Sequence, residues 1–457
     1  MNNFNSFSPT DFRYRVEDLE DYLSEEAFIK YKAKVEAILI RILAQFGLCP
    51  QEIVDNVEKA AEKISASEVY NKEKELKHDI RSLVEVMKNN VSEKAKSYIH
   101  LTATSHDIIN LANALRYKNS FSYKVLPDMI ELERQFIILA RKEKETIQIG
   151  RTHGQHAEPI TFGFSIAQYV DRWGGRILKV KKSVDKLAGK FSGSVGTYSA
   201  LSLFLDNPEE FENELLKNFG LKPVNISTQV VSPEPLIDFI HSIISSWGVL
   251  ANYADDMRHL QRTEIDEIHE NFNVNQIGSS IMPHKRNPIN FENIKSAWKK
   301  FMPFIITNYM SQISEHEGDL TNSLSLRYIP ELIMMFDSSI IRAINVTKEL
   351  KINRDKMKKN LLISADKIIS EPLQILLSQC GFSEAHQKIR QLYLLSLQNE
   401  VPLAEIVFKD KELKPYLQKL DKHQLNYIFH PENYIGRTIE KTDLICDFWD
   451  NKINTII

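Results

Sequence analysis

Two apolar stripes constrain what this chain can fold into. Ile166, Val170, Trp173, Ile177, Val180, Val184 and Leu187 recur at alternating steps of four and three residues, and Leu236, Ile240, Ile243, Trp247, Leu250, Ala254 and Met257 do the same. Only a helix gathers such positions on one face, and a period this close to 3.5 predicts long helices packed at shallow angles in a bundle. With 15 glycines and 16 prolines among 457 residues, the chain has few points at which such helices must break. Strand patterns are hard to find, and no glycine-rich phosphate loop, internal repeat or low-complexity tract is present. A length of 457 residues exceeds one compact core. The polar stretch Lys88 to Lys96 and the stretch Lys351 to Asp355 mark the natural breaks, with a late turn at Pro431 to Gly436. The expected fold is all-α, in three helical domains: an N-terminal domain over 1–97, a long central helix bundle over 98–353, and a C-terminal domain over 354–457.

Charge and cysteine content narrow the function classes. Fifty-eight basic residues stand against 61 acidic ones, a net of −3, so no global field favours nucleic acid or an anionic membrane. An anionic ligand must therefore be held locally. Cys49, Cys380 and Cys446 are far apart and not in metal-ligand spacing, as expected of buried, reduced thiols in a cytoplasmic protein. Met1 to Pro9 lacks the basic and apolar runs of a signal peptide, and no stretch is apolar enough to span a membrane.

The chemistry concentrates in segments rich in hydrogen-bonding groups. The longest, Gly278-Ser279-Ser280-Ile281-Met282-Pro283-His284-Lys285-Arg286-Asn287-Pro288, places a small hydroxyl, a cation and an amide on a loop from which Pro283 and Pro288 exclude helix. Such a loop can close over a substrate, with Lys285 and Asn287 directed at a carboxylate and Ser279 at the carbon beside it. A plain surface loop is the competing reading of these turn residues. Four further segments abut helical patterns: one carrying His78, then Tyr98 to Asp107, Gly150 to Gly163, and Ser227-Thr228-Gln229. Each is expected at a helix end, where free N–H groups and the helix dipole attract anions.

The loop resembles the GSSxMPxKxNP signature of the fumarase/aspartase superfamily. Within it the chain is similar to the adenylosuccinate lyase family over nearly its whole length. His78-Asp79 resembles that family's HD pair, His100 to Asp107 its H-x-x-x-T-S-x-D segment, and Gly150 to Gly163 its RTHGxxAxPxTFG segment. Gly193 to Tyr198 resembles its G-x-V-G-[TN]-Y segment, Ser8-Pro9 with Arg13-Tyr14 its nucleotide-binding N-terminus, and Asn433 to Arg437 the ending of its bacterial members. The resemblance implies a homotetramer with a central bundle core and active sites shared between subunits. It implies cytoplasmic purine biosynthesis, a small nucleotide substrate, and no metal or organic cofactor. By motif position Ser279 is the base and His153 the acid, with His78, Lys285 and Asn287 completing the catalytic set. Arg13, Tyr14, His100, Thr104, Ser105, Asp107, Thr152, Gln229, Met282, Glu292, Asn293, Ser323 and Arg327 are the implied substrate-binding residues.

One position departs from the family pattern. Its R-D-L-x-x-S-x-x-x-R segment grips the nucleotide phosphate, and here Ser323 and Arg327 match while the first arginine is Gly318. This leaves open a second reading, a fumarate-releasing C–N lyase acting on a substrate other than an AMP derivative. A third, a non-catalytic structural relative, is opposed by the joint presence of Ser279, Lys285, Asn287 and His153.

Overall fold

A computed structural model of the chain describes residues 7–272, 281–314, 316 and 318–456. The principal elements are α1 (Glu25–Gln45), α2 (Asp79–Asn89), α3 (Ser105–Ser120), α4 (Leu126–Lys142), β1 (Ile147–Thr152), β2 (Gln155–Thr161), α5 (Phe162–Val184) and α6 (Glu234–Leu260). They continue with β3 (Ile268–His269), α7 (Ile289–Phe301), α8 (Ile329–Lys348), β4 (Lys351–Ile352), α9 (Arg354–Ile368), α10 (Ser370–Gln379), α11 (Ala385–Asn399) and α12 (Thr438–Ile453). The architecture is mainly helical, with two short antiparallel strand pairs, β1–β2 and β3–β4, among the described residues. Among the described residues no helix is long and apolar enough to cross a membrane.

Both apolar stripes become buried helix faces. All seven positions of the first stripe are buried along α5 and its end, and six of the second are buried along α6, with Leu236 half-buried at its first turn. The chain divides into two compact units, each built from non-consecutive stretches. Unit 1 comprises Met1–Ile130, Gly175–Gly248 and Ser296–Ile341, and unit 2 comprises Glu131–Gly174, Val249–Lys295 and Arg342–Ile457.

In unit 1, Trp247 stacks on Phe301 at 5.5 Å between ring centres and leans on Phe336 at 5.7 Å. In unit 2, Tyr253 meets Phe136 and Tyr169 edge-on at 4.8 and 5.3 Å. Such aromatic pairs add to burial through their complementary ring faces and edges. A separate apolar cluster within unit 2, including Leu373, Leu377, Ile389, Leu403 and Val407, binds the C-terminal helices together. Cys49 and Cys446 are buried free thiols, whereas Cys380 is only half-buried.

Unit 1 also buries an acid pair. Asp337 of α8 is fully buried and neither of its oxygens meets a donor of another residue. Its neighbour is the Asp128 carboxyl of α4, so only a shared proton can bond the two. Burial, then repulsion from Asp128, push the Asp337 carboxyl well above the usual carboxylate range, against the opposing pull of Lys124. Lys124 lies 3.3 Å from Asp128 and 2.7 Å from Asp18. The folded state therefore keeps a proton that the unfolded chain releases near about pH 3.9. Its stabilising effect is complete below that value and is lost as pH rises through the raised folded value. Asp337→Asn, which carries no charge to bury, should lose less stability than the wild type between pH 5 and pH 8 in urea denaturation. Parallel pH dependences for the two proteins would contradict this account of the pair.

Candidate active site

In unit 1, a buried carboxylate ties three motifs together. Thr104 caps α3 in a reciprocal capping box with Asp107, whose Oδ2 accepts the Thr104 N–H at 2.9 Å. Asp107 Oδ1 lies 2.8 Å from Lys190 Nζ, and both side chains are completely buried. The same oxygen accepts the N–H groups of Ser192 and Gly193 at 3.3 and 3.4 Å. Lys190 in turn donates to the Gly193 carbonyl at 2.6 Å. Ser192 Oγ then meets Ser227 Oγ at 2.8 Å, linking the Gly193–Tyr198 segment to the Ser227–Gln229 loop. Gly196 is required at this junction, since its φ is +79° and a Cβ would lie 2.1 Å from the Ser227 carbonyl. Asp107 thus has no surface left for a ligand, and it positions Thr104, Ser105 and Gln229 from within.

The segment before α3 is held in an unusual conformation. His100 and Thr102 have φ of 66° and 65°, a left-handed backbone uncommon for side chains and least expected at a β-branched residue. Strain of this kind persists where surrounding contacts over-determine the backbone, and it gathers at functional sites. His100 Nδ1 is 2.6 Å from Glu36 Oε1 of α1, a carboxylate with no exposed surface. Burial alone would lower the imidazole pKa, but attraction to Glu36 and its hydrogen bond outweigh that and raise it. His78 caps α2, its Nδ1 accepting the Arg81 N–H at 3.3 Å, and stays largely exposed. Asp79, beside it, pairs with the buried Lys32 at 3.2 Å. Burial opposes its ionisation, yet Lys32 brings the Asp79 carboxyl below its ordinary value. Burial, helped by the charges of Arg327 and Arg116, lowers the Lys32 pKa, with Asp79 opposing. Lys32 and Glu36 carry no signal in the sequence, because a lysine and a glutamate in mid-helix α1 give no local sign of their burial.

The expected phosphate-binding segments also meet in unit 1. Ser8 caps the turn Pro9–Asp11, and the hydroxyls of Ser8 and Thr10 both donate to Glu331 Oε1 at 3.1 Å. Glu331 lies in the first turn of α8, four residues after Arg327, so the Ser8–Thr10 turn is tied to the start of that helix. Arg13, Ser323 and Arg327 are exposed. Gly318 has a φ of +150°, and a Cβ there would sit 3.2 Å from Cβ and Oε1 of Gln229. An arginine at 318 would need Gln229 to move, so this departure from the family pattern is built into the local backbone.

In unit 2, the Gly150–Gly163 segment is mostly a β-hairpin, and only its end, at Phe162, forms the helix start expected from sequence. β1 and β2 pair antiparallel with Thr152 opposite Gln155, leaving His153 and Gly154 as a two-residue turn. Their φ values of 53° and 74° are those of a type I′ turn, whose twist matches the strands it joins. Thr152 and His153 are therefore presented to solvent at a rigid tip. Beneath the tip, Glu267 is completely buried and accepts four hydrogen bonds. They come from Arg151 at 2.5 and 3.1 Å, Gln148 at 2.7 Å and Asn360 at 2.8 Å. His156 on β2 bonds Ser364 at 2.8 Å, and burial followed by the nearby Arg151 charge lower its pKa. The hairpin also walls a cavity of about 780 Å³ shared with α9, α10 and α11, where Lys367, His386 and Arg390 face the space bordered by Glu158 and Glu371.

Ser279 lies outside the described residues. The rest of the signature, Ile281 to Pro288, is non-helical and largely exposed, with a turn closed by the Lys285 N–H on the Met282 carbonyl at 3.0 Å. Lys285, Met282 and Glu292 are exposed, and Asn287 and Asn293 half-buried. The loop runs into α7, whose first N–H groups are capped by the buried Glu270. His153, Thr152, Lys285, Asn287, Met282, Glu292 and Asn293 thus belong to unit 2, and the remaining described site residues to unit 1.

The sequences of known proteins bear on what this arrangement is for. A family model described as lyase matches residues 1–302. An adenylosuccinate lyase of Pyrococcus abyssi is 34% identical over 446 residues, covering 96% of this chain and 97% of that protein. The chain belongs to the adenylosuccinate lyase family. A bacterial adenylosuccinate lyase, from Aquifex aeolicus, is 32% identical over 413 residues, covering 89% and 92% of the two chains. Among solved structures, a fumarate lyase from Mesorhizobium superposes with a TM-score of 0.84 over 95% of this chain and 98% of its own. A 3-carboxy-cis,cis-muconate lactonizing enzyme from Pseudomonas putida does so with 0.85 over 97% and 99%. At 21% identity both speak for the shared lyase fold alone.

The Asp107–Lys190 pair makes a direct prediction about how this family member is held together. Removing one partner of a buried ion pair leaves the other charge uncompensated, at a cost of about 3–5 kcal/mol. Asp107→Asn should lose stability of that order in urea denaturation. A loss below about 1 kcal/mol for the single variant, the level of an exposed pair, would show that the pair is not the anchor described.

Proposed function

We propose that this chain is an adenylosuccinate lyase, eliminating fumarate from adenylosuccinate to give AMP and from the succinocarboxamide ribonucleotide to give its carboxamide product. The full-length similarity to adenylosuccinate lyases, at 34% identity over 96% of the chain, carries the proposal. In this reading Ser279 removes a proton from the carbon beside a succinyl carboxylate. The electron pair passes onto that carboxylate, giving an enediolate dianion held by Lys285 and Asn287. The pair then returns to form the double bond as the C–N bond breaks, and His153 delivers a proton to the departing nitrogen. Thr104, Ser105, Thr152 and Gln229 hold the succinyl carboxylates, while His78 and His100 assist beside the nucleotide. Met282, Glu292 and Asn293 shape the pocket, and Arg13, Tyr14, Ser323 and Arg327 take the phosphate.

The exposure of these groups on one chain, and their division between its two units, support a further part of the reading. The functional protein is a homotetramer whose sites combine segments of several subunits, with the domains 1–97, 98–353 and 354–457 as its building blocks and the cytoplasm as its place of work. Ser279→Ala and His153→Ala should each reduce fumarate release by about 100-fold or more without changing circular dichroism, since both act in the chemical step. Near-normal turnover in either variant would sink that residue's role. If the sites are shared, mixing the two variants under subunit exchange should restore part of the activity.

Gly318 makes the phosphate contact the discriminating one. A hydrogen bond to a charged group contributes about 1.5–3 kcal/mol, so with one arginine fewer the site should still prefer AMP to adenosine by roughly tenfold or more. Arg327→Ala should abolish that preference in calorimetric titrations. Equal, weak binding of AMP and adenosine to the wild type would instead favour a fumarate-releasing lyase with a different leaving group.

A further inference from the structure

We infer that the cavity between the hairpin and the C-terminal helices of unit 2 is a binding site for a small oxyanionic ligand, held by Lys367, His386 and Arg390. The inference goes beyond the elimination, since none of the three belongs to the segments assigned to that reaction. Every lining residue lies within unit 2.

Helix faces build the wall. On α11, His386, Ile389, Arg390 and Tyr393 follow at steps of three, one and three residues, so one face carries all four into the lining. On α9, Ser364, Lys367 and Ile368 share a face in the same way. The apolar members fix these helices. Ile368 packs with Ile149 of β1 and with Leu361, and Ile389 belongs to the apolar cluster of the C-terminal helices. Lys367, His386 and Arg390 stay exposed beside them, carried on a rigid frame. At about 780 Å³ the cavity is in the range of small-ligand sites.

The basic groups converge without a counter-charge. Among the described residues no carboxylate pairs with Lys367, His386 or Arg390. Lys388 of the same helix shows the contrast, for it is not part of the wall and pairs with Asp410 and Glu412 at 2.9 and 2.6 Å. A single unpaired cation on a surface is ordinary, because water solvates it. Like charges gathered at one concavity instead raise its potential and draw in an anion. The Arg390 guanidinium offers a planar fork that matches two oxygens of a phosphate or carboxylate, and Lys367 adds a compact charge. The start of α10 contributes as well. Ser370 and Glu371 of its first turn line the cavity, and no side chain caps the helix. Its free N–H groups favour an anion there.

The facing wall does not cancel this field. Glu158 of β2 and Glu371 of α10 bond to each other, which needs a shared proton, and in that state the two carry one negative charge. Burial, followed by repulsion from Glu158, raises the Glu371 carboxyl, with a hydrogen bond to Tyr434 opposing. Lys367 and Arg390 then leave the cavity positive before His386 is counted. A phosphate ester and a dicarboxylate share the chemistry that such a site reads, and the test separates them.

The test is calorimetric titration with inorganic phosphate and, separately, with fumarate. It uses protein carrying Lys285→Ala and Arg327→Ala, which removes anion contacts proposed for the elimination. At least one probe should bind at a single site per chain. Adding Lys367→Gln and Arg390→Gln should weaken that binding by about tenfold or more, as expected when hydrogen bonds to a charged group are lost. Adding Lys367→Arg alone should keep it within about threefold, because the charge is retained. Both side chains are exposed, so circular dichroism should not change. Binding of phosphate assigns phosphate esters as the ligand class, and binding of fumarate assigns dicarboxylates. Binding of neither probe, or binding that survives the loss of both cations, would overturn the inference. No turnover is measured, so failure of the proposed elimination would leave these outcomes unchanged.

Discussion

The buried pairing of Asp107 with Lys190 is the interaction on which the substrate-facing side of unit 1 depends. Two opposite charges with no exposed surface are stable only when each is satisfied by the other and by hydrogen bonds. Here that requirement fixes more than the pair. The Asp107 carboxylate must also receive Thr104, Ser192 and Gly193, and Lys190 must also reach the Gly193 carbonyl. Three stretches far apart in sequence are thereby forced into one arrangement, and the Ser227–Gln229 loop follows through Ser192. The strained backbone at His100 and Thr102 can persist because the chain is pinned on both sides, at Glu36 and at Asp107.

Unit 2 repeats the device with different residues. Glu267 and Glu270 are buried, multiply bonded carboxylates beneath an exposed turn and an exposed loop. In both units these organising charges are inside, while the groups proposed to meet substrate are exposed or half-buried.

Much of this was legible in the sequence, and the parts that were not have physical reasons. The four-three stripes of α5 and α6 specified buried helix faces, because only long helices place those residues together. Leu236 fell short of full burial because it lies at the first turn of α6, where the face begins. His78 and Thr104 do sit at helix starts. The Gly150–Gly163 segment reaches a helix start only at its end, where Phe162 begins α5, and its RTHG part is a hairpin. Its Gln148, Arg151, Gln155 and Glu158 interrupt the apolar alternation that signals a strand, and the turn residue His153 is a less familiar choice than asparagine for positive φ. Asp107 reads as a binding residue from its motif, yet its burial depends on Lys190, which no local pattern connects to it. Glu267 and Glu270 were missed for a related reason. The stretch Thr263-Glu264-Ile265-Asp266-Glu267-Ile268-His269-Glu270 looks like a solvated, acidic surface until Arg151 and the start of α7 are folded against it.

The account stands or falls on the reaction itself. Purified protein incubated with adenylosuccinate, followed by proton magnetic resonance, reports substrate and both products at once. The account predicts that AMP and fumarate appear in equal amounts as adenylosuccinate disappears, and that added AMP and fumarate re-form it. A folded protein that leaves adenylosuccinate unchanged, or forms no fumarate from it, would contradict the central claim.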